Sequence, residues 1–198
     1  ALGINFKRVQ FTPDLLPADI TGIYIWNQKD QKFQFRKGPL FCNILLADEI
    51  NRAPPKTQAA LLEAMQEHQV TIEGDTHKLP QPFVTLATQN PIESEGTYPL
   101  PDAQLDRFMM KLSVGYPGRP IERAILVKRK KRGKDDHTIK AITNPEKLSE
   151  MQQSLEKVRV DDAIIEYIVE IINRTREDPR VRVGSSPRGA QSLFKLSR

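Results

Sequence analysis

The 198-residue sequence is 38% hydrophobic and 28% charged, a balance typical of a globular protein with a buried core. It has no apolar run of the roughly 20 residues that a membrane-spanning helix needs, and no signal-peptide pattern at its start. Its only cysteine, Cys42, excludes an internal disulfide bond, and together these features favour a cytoplasmic protein.

The net charge of +5 is unevenly distributed. Residues 1–116 carry 11 Lys and Arg against 13 Asp and Glu, whereas residues 117–198 carry 19 against 12. The change coincides with a Pro-Gly-Arg-Pro sequence at residues 117–120, which is typical of a linker. We therefore predict one domain over residues 1–116 and a second over residues 117–198.

The first 40 residues predict a strand, a short helix and a hairpin. Residues 5–11 fit a strand, and Thr12-Pro13-Asp14 has the hydroxyl cap, proline and acid of a helix start. Alternating residues at 22–26 and 32–35 then predict a β-hairpin with a polar tip.

The central strand is predicted at residues 43–47, an apolar run that ends in Asp48 and Glu49. Such a run is typical of a strand buried on both faces of a parallel sheet, whose carboxyl edge is where α/β sheets bind ligands. An acid there can hold Mg²⁺ beside phosphates, and a second can orient water. The alternative is a strand that simply runs into a polar loop.

The chain then predicts a helix at residues 54–67 and a second hairpin at residues 69–79 with Gly74-Asp75 as its turn. Residues 83–88 and 109–114 predict two more strands. The second region predicts only helices, at residues 121–132, 145–158, 161–176 and 186–198.

Three more side chains fit a phosphate site. Asn90 follows the strand at residues 83–88, Arg107 precedes the predicted strand at 109–114, and Arg188 begins the last predicted helix. An amide can bind a γ-phosphate and water, and an arginine can stabilise the charge of phosphoryl transfer. The alternatives are a turn asparagine before a proline, a surface salt bridge of Arg107 with Asp106, and an exposed arginine at a helix start.

The order of these motifs resembles that of the MoxR family of AAA+ ATPases. The similarity rests on QFTPDLLP at residues 10–17, LADEINRA at 46–53, ALLEAM at 60–65, ATQNP at 87–91, GTYPLPDAQLDRF at 96–108 and SPRGA at 186–190. The resemblance implies an α/β fold with the parallel sheet of a P-loop-type AAA+ core over residues 1–116. It also implies a small all-α lid domain over residues 117–198.

The resemblance also implies ATP and Mg²⁺ as ligands and a role for each candidate residue. These roles are Asp48 as the Mg²⁺-side Walker B acid, Glu49 as the catalytic glutamate, Asn90 as sensor 1, Arg107 as the arginine finger and Arg188 as sensor 2. Arg52 is an alternative finger. The hairpins at residues 22–36 and 69–79 resemble those that line the pore in related machines. The partners implied are further copies of the chain in a ring, expected to be a hexamer, and client proteins, some with von Willebrand factor A domains.

No Gly-x-x-x-x-Gly-Lys-Ser/Thr motif occurs in the sequence, although a phosphate-binding loop needs one. We expect that the core is truncated before its first strand and this loop, and that the lid is incomplete at its C-terminus. The segment alone is then expected to bind ATP weakly and to be inactive. The alternative function is a non-hydrolysing scaffold for protein interactions.

Two further ligand classes are not expected. The basic run at residues 128–134 fits a solvated helix end followed by Asp135 and Asp136 better than it fits a nucleic-acid site. The histidines His68, His77 and His137 lack partners at the spacing of a transition-metal site.

Overall fold

A computed structural model describes residues 2–90, 96–134 and 139–198. Its strands are β1 (Phe6–Gln10), β2 (Gly22–Asn27), β3 (Lys32–Lys37), β4 (Ile44–Asp48), β5 (Gln69–Ile72), β6 (Asp75–Lys78) and β7 (Val84–Ala87). Its α-helices are α1 (Pro17–Thr21), α2 (Pro55–Glu67), α3 (Asp102–Leu105), α4 (Arg119–Arg132), α5 (Pro145–Leu155), α6 (Asp162–Glu177) and α7 (Pro187–Leu196). A 3₁₀ turn covers Ile50–Arg52. Pro91, Asp135, Asp136 and His137, on which some sequence predictions rest, lie outside the described residues.

The sheet that carries the acid pair is parallel, as predicted, with the strand order β1-β4-β7. Its register pairs Gln10 with Asp48 on one side of β4 and Ala47 with Ala87 on the other. All three strands therefore end at the same edge. The α/β architecture followed by a helical region is confirmed.

Only one face of β4 is buried, so the prediction of burial on both faces was wrong for the described residues. Leu45 and Ala47 are at most 1% exposed and belong to a core that includes Leu61 and Leu62 of α2. The opposite face of β4 is only half-buried, and Leu86 beside it on β7 is 53% exposed. Alternation along the strand thus places Asp48 on the exposed face, away from α2.

Two local predictions near the first helix and the second hairpin were wrong by a few residues. Residues 12–15 form a turn, and the helix begins at Pro17, whose fixed φ suits a first helical position. In the second hairpin Ile72 pairs with Asp75, so the turn residues are Glu73 and Gly74, both with φ in the left-handed region. This is the backbone that a two-residue hairpin turn requires.

The strand predicted at residues 109–114 is absent from the structure, and this prediction was wrong. Leu112 and Val114 are 78% and 98% exposed, and the segment has no regular structure. A strand needs a neighbour to satisfy its backbone groups, and the sheet in the described residues ends at β7.

The helical prediction for the second region is confirmed. The side chain of Asp161 accepts from the Ala163 N–H at the start of α6, and Ile168 and Ile172 of that helix are each 6% exposed. Among the described residues, no helix is long and apolar enough to cross a lipid bilayer.

Candidate functional site

The acid pair lies where the chain leaves the carboxyl edge of the sheet. Asp48 ends β4, and Glu49 has φ 55° and ψ 48°, the left-handed region that non-glycine residues rarely occupy. Thr88, just beyond β7, holds this turn, because its hydroxyl accepts from the Glu49 N–H (2.9 Å) and its carbonyl accepts from the Ile50 N–H (3.0 Å). An unusual backbone held from outside in this way is typical of functional sites.

Asp48 is fixed through both of its carboxylate oxygens. The Thr88 hydroxyl donates to Oδ1 at 2.5 Å, and Arg8 of β1 donates to Oδ2 from Nε at 3.0 Å and from Nη2 at 2.5 Å. These contacts lower the pKa of the Asp48 carboxyl below its ordinary value, the Thr88 hydrogen bond being the largest cause and Arg8 the next. Asp48 is therefore ionised and oriented at neutral pH.

Glu49 is held in the same way by two donors. Its Oε2 accepts from Gln10 Nε2 of β1 at 2.7 Å and from Arg52 Nη1 at 3.0 Å. Its side chain is 25% exposed and that of Asp48 is 22% exposed. Two oriented carboxylates, from adjacent residues, are thus within reach of solvent, an arrangement that can bind a hydrated cation and orient a water molecule.

Sequence reasoning missed Arg8, Gln10 and Thr88. The signal for the first two was the alternation of β1, since residues 8 and 10 share one face of the strand. The parallel register places that face beside Asp48. For Thr88 the signal was its position at the end of the neighbouring strand, one residue past β7.

A buried amide supports the turn that follows Glu49. Gln58 of α2 is 1% exposed, and its Nε2 donates to the carbonyl oxygens of Ile50 (3.2 Å), Ala53 (3.0 Å) and Tyr98 (2.9 Å). It joins the segment after the acid pair to the segment that leads to Arg107. Sequence reasoning missed this residue as well, since it reads as one of several polar positions on a helix.

Asn90 lies three residues beyond β7 and is half-buried. The prediction that Asn90 neighbours the acid pair depended on the two strands being adjacent, and the pairing of β4 with β7 meets that condition. Its role remains a prediction.

The two predicted arginines belong to a second group of residues, at a junction between α3 and α7. Arg107 follows α3 and is half-buried, and its Nε is buried without a hydrogen-bond partner in the described part of the chain. Arg188 is exposed in the first turn of α7. Asp106 connects the two segments, because both of its carboxylate oxygens lie 2.7 Å from the hydroxyl of Ser186, the N-cap of α7.

The two predicted hairpins contact each other through a polar and aromatic cluster. The Tyr24 hydroxyl of β2 donates to Asp75 Oδ2 of β6 at 2.7 Å and lies 3.2 Å from Nε2 of His77. The His77 ring stacks on Phe35 of β3 with centroids 4.1 Å apart. Asp75 raises the pKa of the Tyr24 hydroxyl above its ordinary value, through the hydrogen bond first.

The acid pair fits Mg²⁺ held through water rather than directly. Asp48 is charged, but each of its oxygens already accepts a hydrogen bond. Within the described ranges, no group of three or more His, Cys, Asp or Glu side chains is placed to ligate a metal ion. Mg²⁺ ordinarily keeps several waters and is held by one or two carboxylates together with substrate phosphates, which this donor set allows.

Comparisons with known proteins bear on this site and fold. A model of the ATPase family associated with various cellular activities (AAA) matches residues 1–110. The chain is 51% identical over 197 residues to the uncharacterized protein YeaC of Bacillus subtilis. It is 43% identical over 206 residues to the chaperone MoxR1 of Mycobacterium tuberculosis. Both matches include the whole chain but 61% and 54% of those proteins, so the chain spans little more than half the length of these relatives. The crystal structure of a candidate ATPase from Cytophaga hutchinsonii matches with a TM-score of 0.88 at 41% identity, over 98% of this chain and 62% of that one.

Proposed function

Since the chain belongs to the MoxR family of AAA+ ATPases, we propose that the full-length protein binds and hydrolyses ATP to remodel or mature partner proteins in a chaperone-like way. The observation that carries the proposal is the pair of oriented carboxylates at the carboxyl edge of the parallel sheet. That edge is where open α/β sheets bind nucleotides. The name of the relative MoxR1 supports the chaperone part.

The reaction we assign to the site is in-line attack of water on the γ-phosphorus of ATP. A bond forms to the water oxygen while the bond to the β,γ-bridging oxygen breaks, so that ADP and inorganic phosphate are released. Glu49 would orient the water and accept its proton, while Asp48 would hold Mg²⁺ through water molecules. Mg²⁺, when bound, neutralises charge on the phosphate oxygens. We propose that Asn90 contacts the γ-phosphate and the attacking water.

The residues around the acid pair prepare it for this role before any ligand binds. Arg8 and Thr88 keep Asp48 charged, and the left-handed turn at Glu49 directs its side chain differently from a strand residue. Gln10 holds the Glu49 carboxylate through one oxygen, which leaves the other for a water molecule. Such preorganisation lowers the cost of ordering the site during the reaction.

We assign the finger that acts on a neighbouring subunit to Arg107 rather than to Arg52. Arg52 forms an ion pair with Glu49 of its own chain at 3.0 Å, so it serves the acid pair in cis. Arg107 forms no ion pair among the described residues, so a phosphate from another subunit could pair with its guanidinium charge. Arg188 is proposed to contact the nucleotide of its own subunit.

The test of hydrolysis is the Glu49→Gln variant of the full-length protein. The amide keeps the shape of the side chain but removes its basicity, so we expect ATP turnover to fall by about 100-fold or more. The dissociation constant for ATP, measured by calorimetry, should stay within about threefold of wild type, since Glu49 acts on the water rather than on the phosphates.

The matched control is Glu67→Gln, which makes the same change at an exposed position of α2 and should leave turnover unchanged. Undiminished hydrolysis by Glu49→Gln would remove Glu49 from the mechanism. A wild-type protein that binds partners but never hydrolyses ATP would favour the alternative, a non-hydrolysing scaffold.

The partners proposed are other copies of the chain in a ring, expected to be a hexamer, and client proteins, some with von Willebrand factor A domains. Domain assignments to residues 1–116 as ATPase core and 117–198 as lid form part of the same proposal. Native mass spectrometry with and without ATP and Mg²⁺ measures the ring size. A protein that stays monomeric at micromolar concentration with ATP would contradict the ring and the trans role of Arg107.

A further inference from the structure

The junction between α3 and α7 is more strongly built than an ordinary surface contact. Asp106 and Ser186 are both half-buried and lie 80 positions apart in the chain. A hydroxyl that donates to a carboxylate forms a charge-assisted hydrogen bond, among the stronger kinds in proteins. The nearby ion pair of Arg182 with Asp102 is 82% and 54% exposed, so water screens it and it contributes little.

Ser186 also determines how α7 begins. Its Oγ accepts from the N–H groups of Arg188 (3.0 Å) and Gly189 (3.3 Å) while its hydroxyl donates to Asp106. One oxygen atom therefore connects the carboxylate next to Arg107 with the backbone of Arg188. Any displacement of the start of α7 therefore also moves Ser186, which is the hydrogen-bond partner of Asp106.

The loop that leads into Ser186 is anchored by contacts with α6 and lies close to α7. The Ser185 N–H donates to Thr175 Oγ1 at 2.9 Å, and the Ser185 carbonyl accepts from Arg176 Nε at 2.9 Å, so α6 anchors this loop. A Cβ at Gly189 would lie 2.1 Å from Ser185 Oγ, so a larger residue in α7 would require the Ser185 hydroxyl to rotate away.

On the other side of the junction, Phe108 packs against the core of the first region. The same side chain lines an apolar cavity with Ile172 of α6 and Leu193 of α7. The segment from Asp106 to Phe108 is therefore held between the sheet-containing core and the last two helices.

From this geometry we propose that Asp106 and Ser186 are positioning residues that make Arg107 and Arg188 of one chain move as a single unit. The inference rests on the proposed function, in which Arg188 contacts the nucleotide of its own subunit and Arg107 acts on that of the neighbour. The hydrogen bond then lets nucleotide binding at one site set the position of the arginine that serves the next.

The test uses the Asp106→Ala variant of the full-length protein, which removes the link but leaves Ser186 to cap α7. We expect kcat to fall by about 10- to 100-fold, because a small displacement of a charge-stabilising group has an effect of that size. KM should stay within about twofold of wild type, since Arg188 and the acid pair are unchanged.

Hydrogen exchange provides a readout that hydrolysis does not affect. In the wild type, a non-hydrolysable ATP analogue should slow exchange at residues 188–192 and at residues 106–109. In Asp106→Ala the slowing at 188–192 should remain and that at 106–109 should disappear. A merely structural role would change both segments together or neither.

Two variants at Ser186 test the link from its other end. Ser186→Thr keeps a hydroxyl for both contacts and should retain wild-type kcat and exchange. Ser186→Ala removes both contacts and should lose the slowed exchange at residues 106–109. Asp102→Asn is the control, because Asp102 lies in the short helix just before Asp106. Within the described residues the Asp102 carboxylate contacts only the exposed Arg182. In Asp102→Asn the ATP analogue should slow hydrogen exchange at residues 188–192 and 106–109 as it does in the wild type.

The proposal is overturned if Asp106→Ala keeps the slowed exchange at residues 106–109, or if the wild type shows slowing at 188–192 alone. Failure of the proposed function looks different. In that case the wild type neither hydrolyses ATP nor responds to the analogue at any segment, and the inference falls with it.

Discussion

The buried amide of Gln58 supports a prediction that ties stability to the site. The Gln58→Met variant keeps an unbranched side chain of similar length but removes both N–H donors that serve Ile50, Ala53 and Tyr98. Two hydrogen bonds are lost and buried carbonyl groups are left unsatisfied, so we expect the free energy of unfolding to fall by about 2–4 kcal/mol. Loosening residues 50–53 should also lower ATP turnover, because that turn holds Glu49.

The measurement is urea unfolding of the full-length protein followed by circular dichroism, with hydrogen exchange at residues 50–53 as a local readout. Gln66→Met is the matched control, since it makes the same change at a half-exposed position of α2 and should stay within about 0.5 kcal/mol of wild type. If Gln58→Met unfolds as the control does, the amide does not hold this turn and the reasoning fails.

Two further predictions concern the hydroxyl groups of the site and of the hairpins. In Thr88→Val the pKa of the Asp48 carboxyl should rise towards its ordinary value, because the Thr88 hydrogen bond is the largest cause of its lowering. In the wild type, the ionised Asp48 carboxylate stabilises the fold above the ordinary pKa, and this stabilisation is lost as pH falls through the lowered pKa. In Thr88→Val the same loss should occur at a higher pH. An NMR titration in magnesium-free buffer checks this, and an unmoved pKa contradicts it. In Tyr24→Phe the hairpins lose the bond to Asp75, so exchange at residues 75–78 should rise several-fold. Unchanged exchange at residues 75–78 would show that the aromatic contacts are enough to hold the two hairpins together.

The sequence predicted elements well where one signal dominates. The run at residues 43–47 and the helix at 54–67 follow from apolar pattern alone, and their bounds in the structure differ by a residue or so. Prediction failed where an element depends on a distant partner. Residues 109–114 have strand composition, but strand formation needs a paired neighbour, which no local pattern can reveal.

The sequence singles out the acids of the candidate site but not the residues that hold them. Asp48 and Glu49 stand out because charged residues at the end of an apolar strand are unusual, whereas Arg8 and Gln10 look like polar positions of any strand. Their role depends on the register between β1 and β4, a relation between segments some 40 residues apart. The same holds for Ser186, whose partner lies 80 residues away.

The register between β1 and β4 links the packing of the core to the orientation of Asp48. Burial of Leu45 and Ala47 against α2 fixes which face of β4 points inwards, so it also fixes that Asp48 points outwards. A slip of one residue would place Asp48 in the core and move it away from Arg8, because side chains alternate along a strand. The apolar residues of β4 are therefore as necessary for the orientation of the carboxylate as the arginine that contacts it.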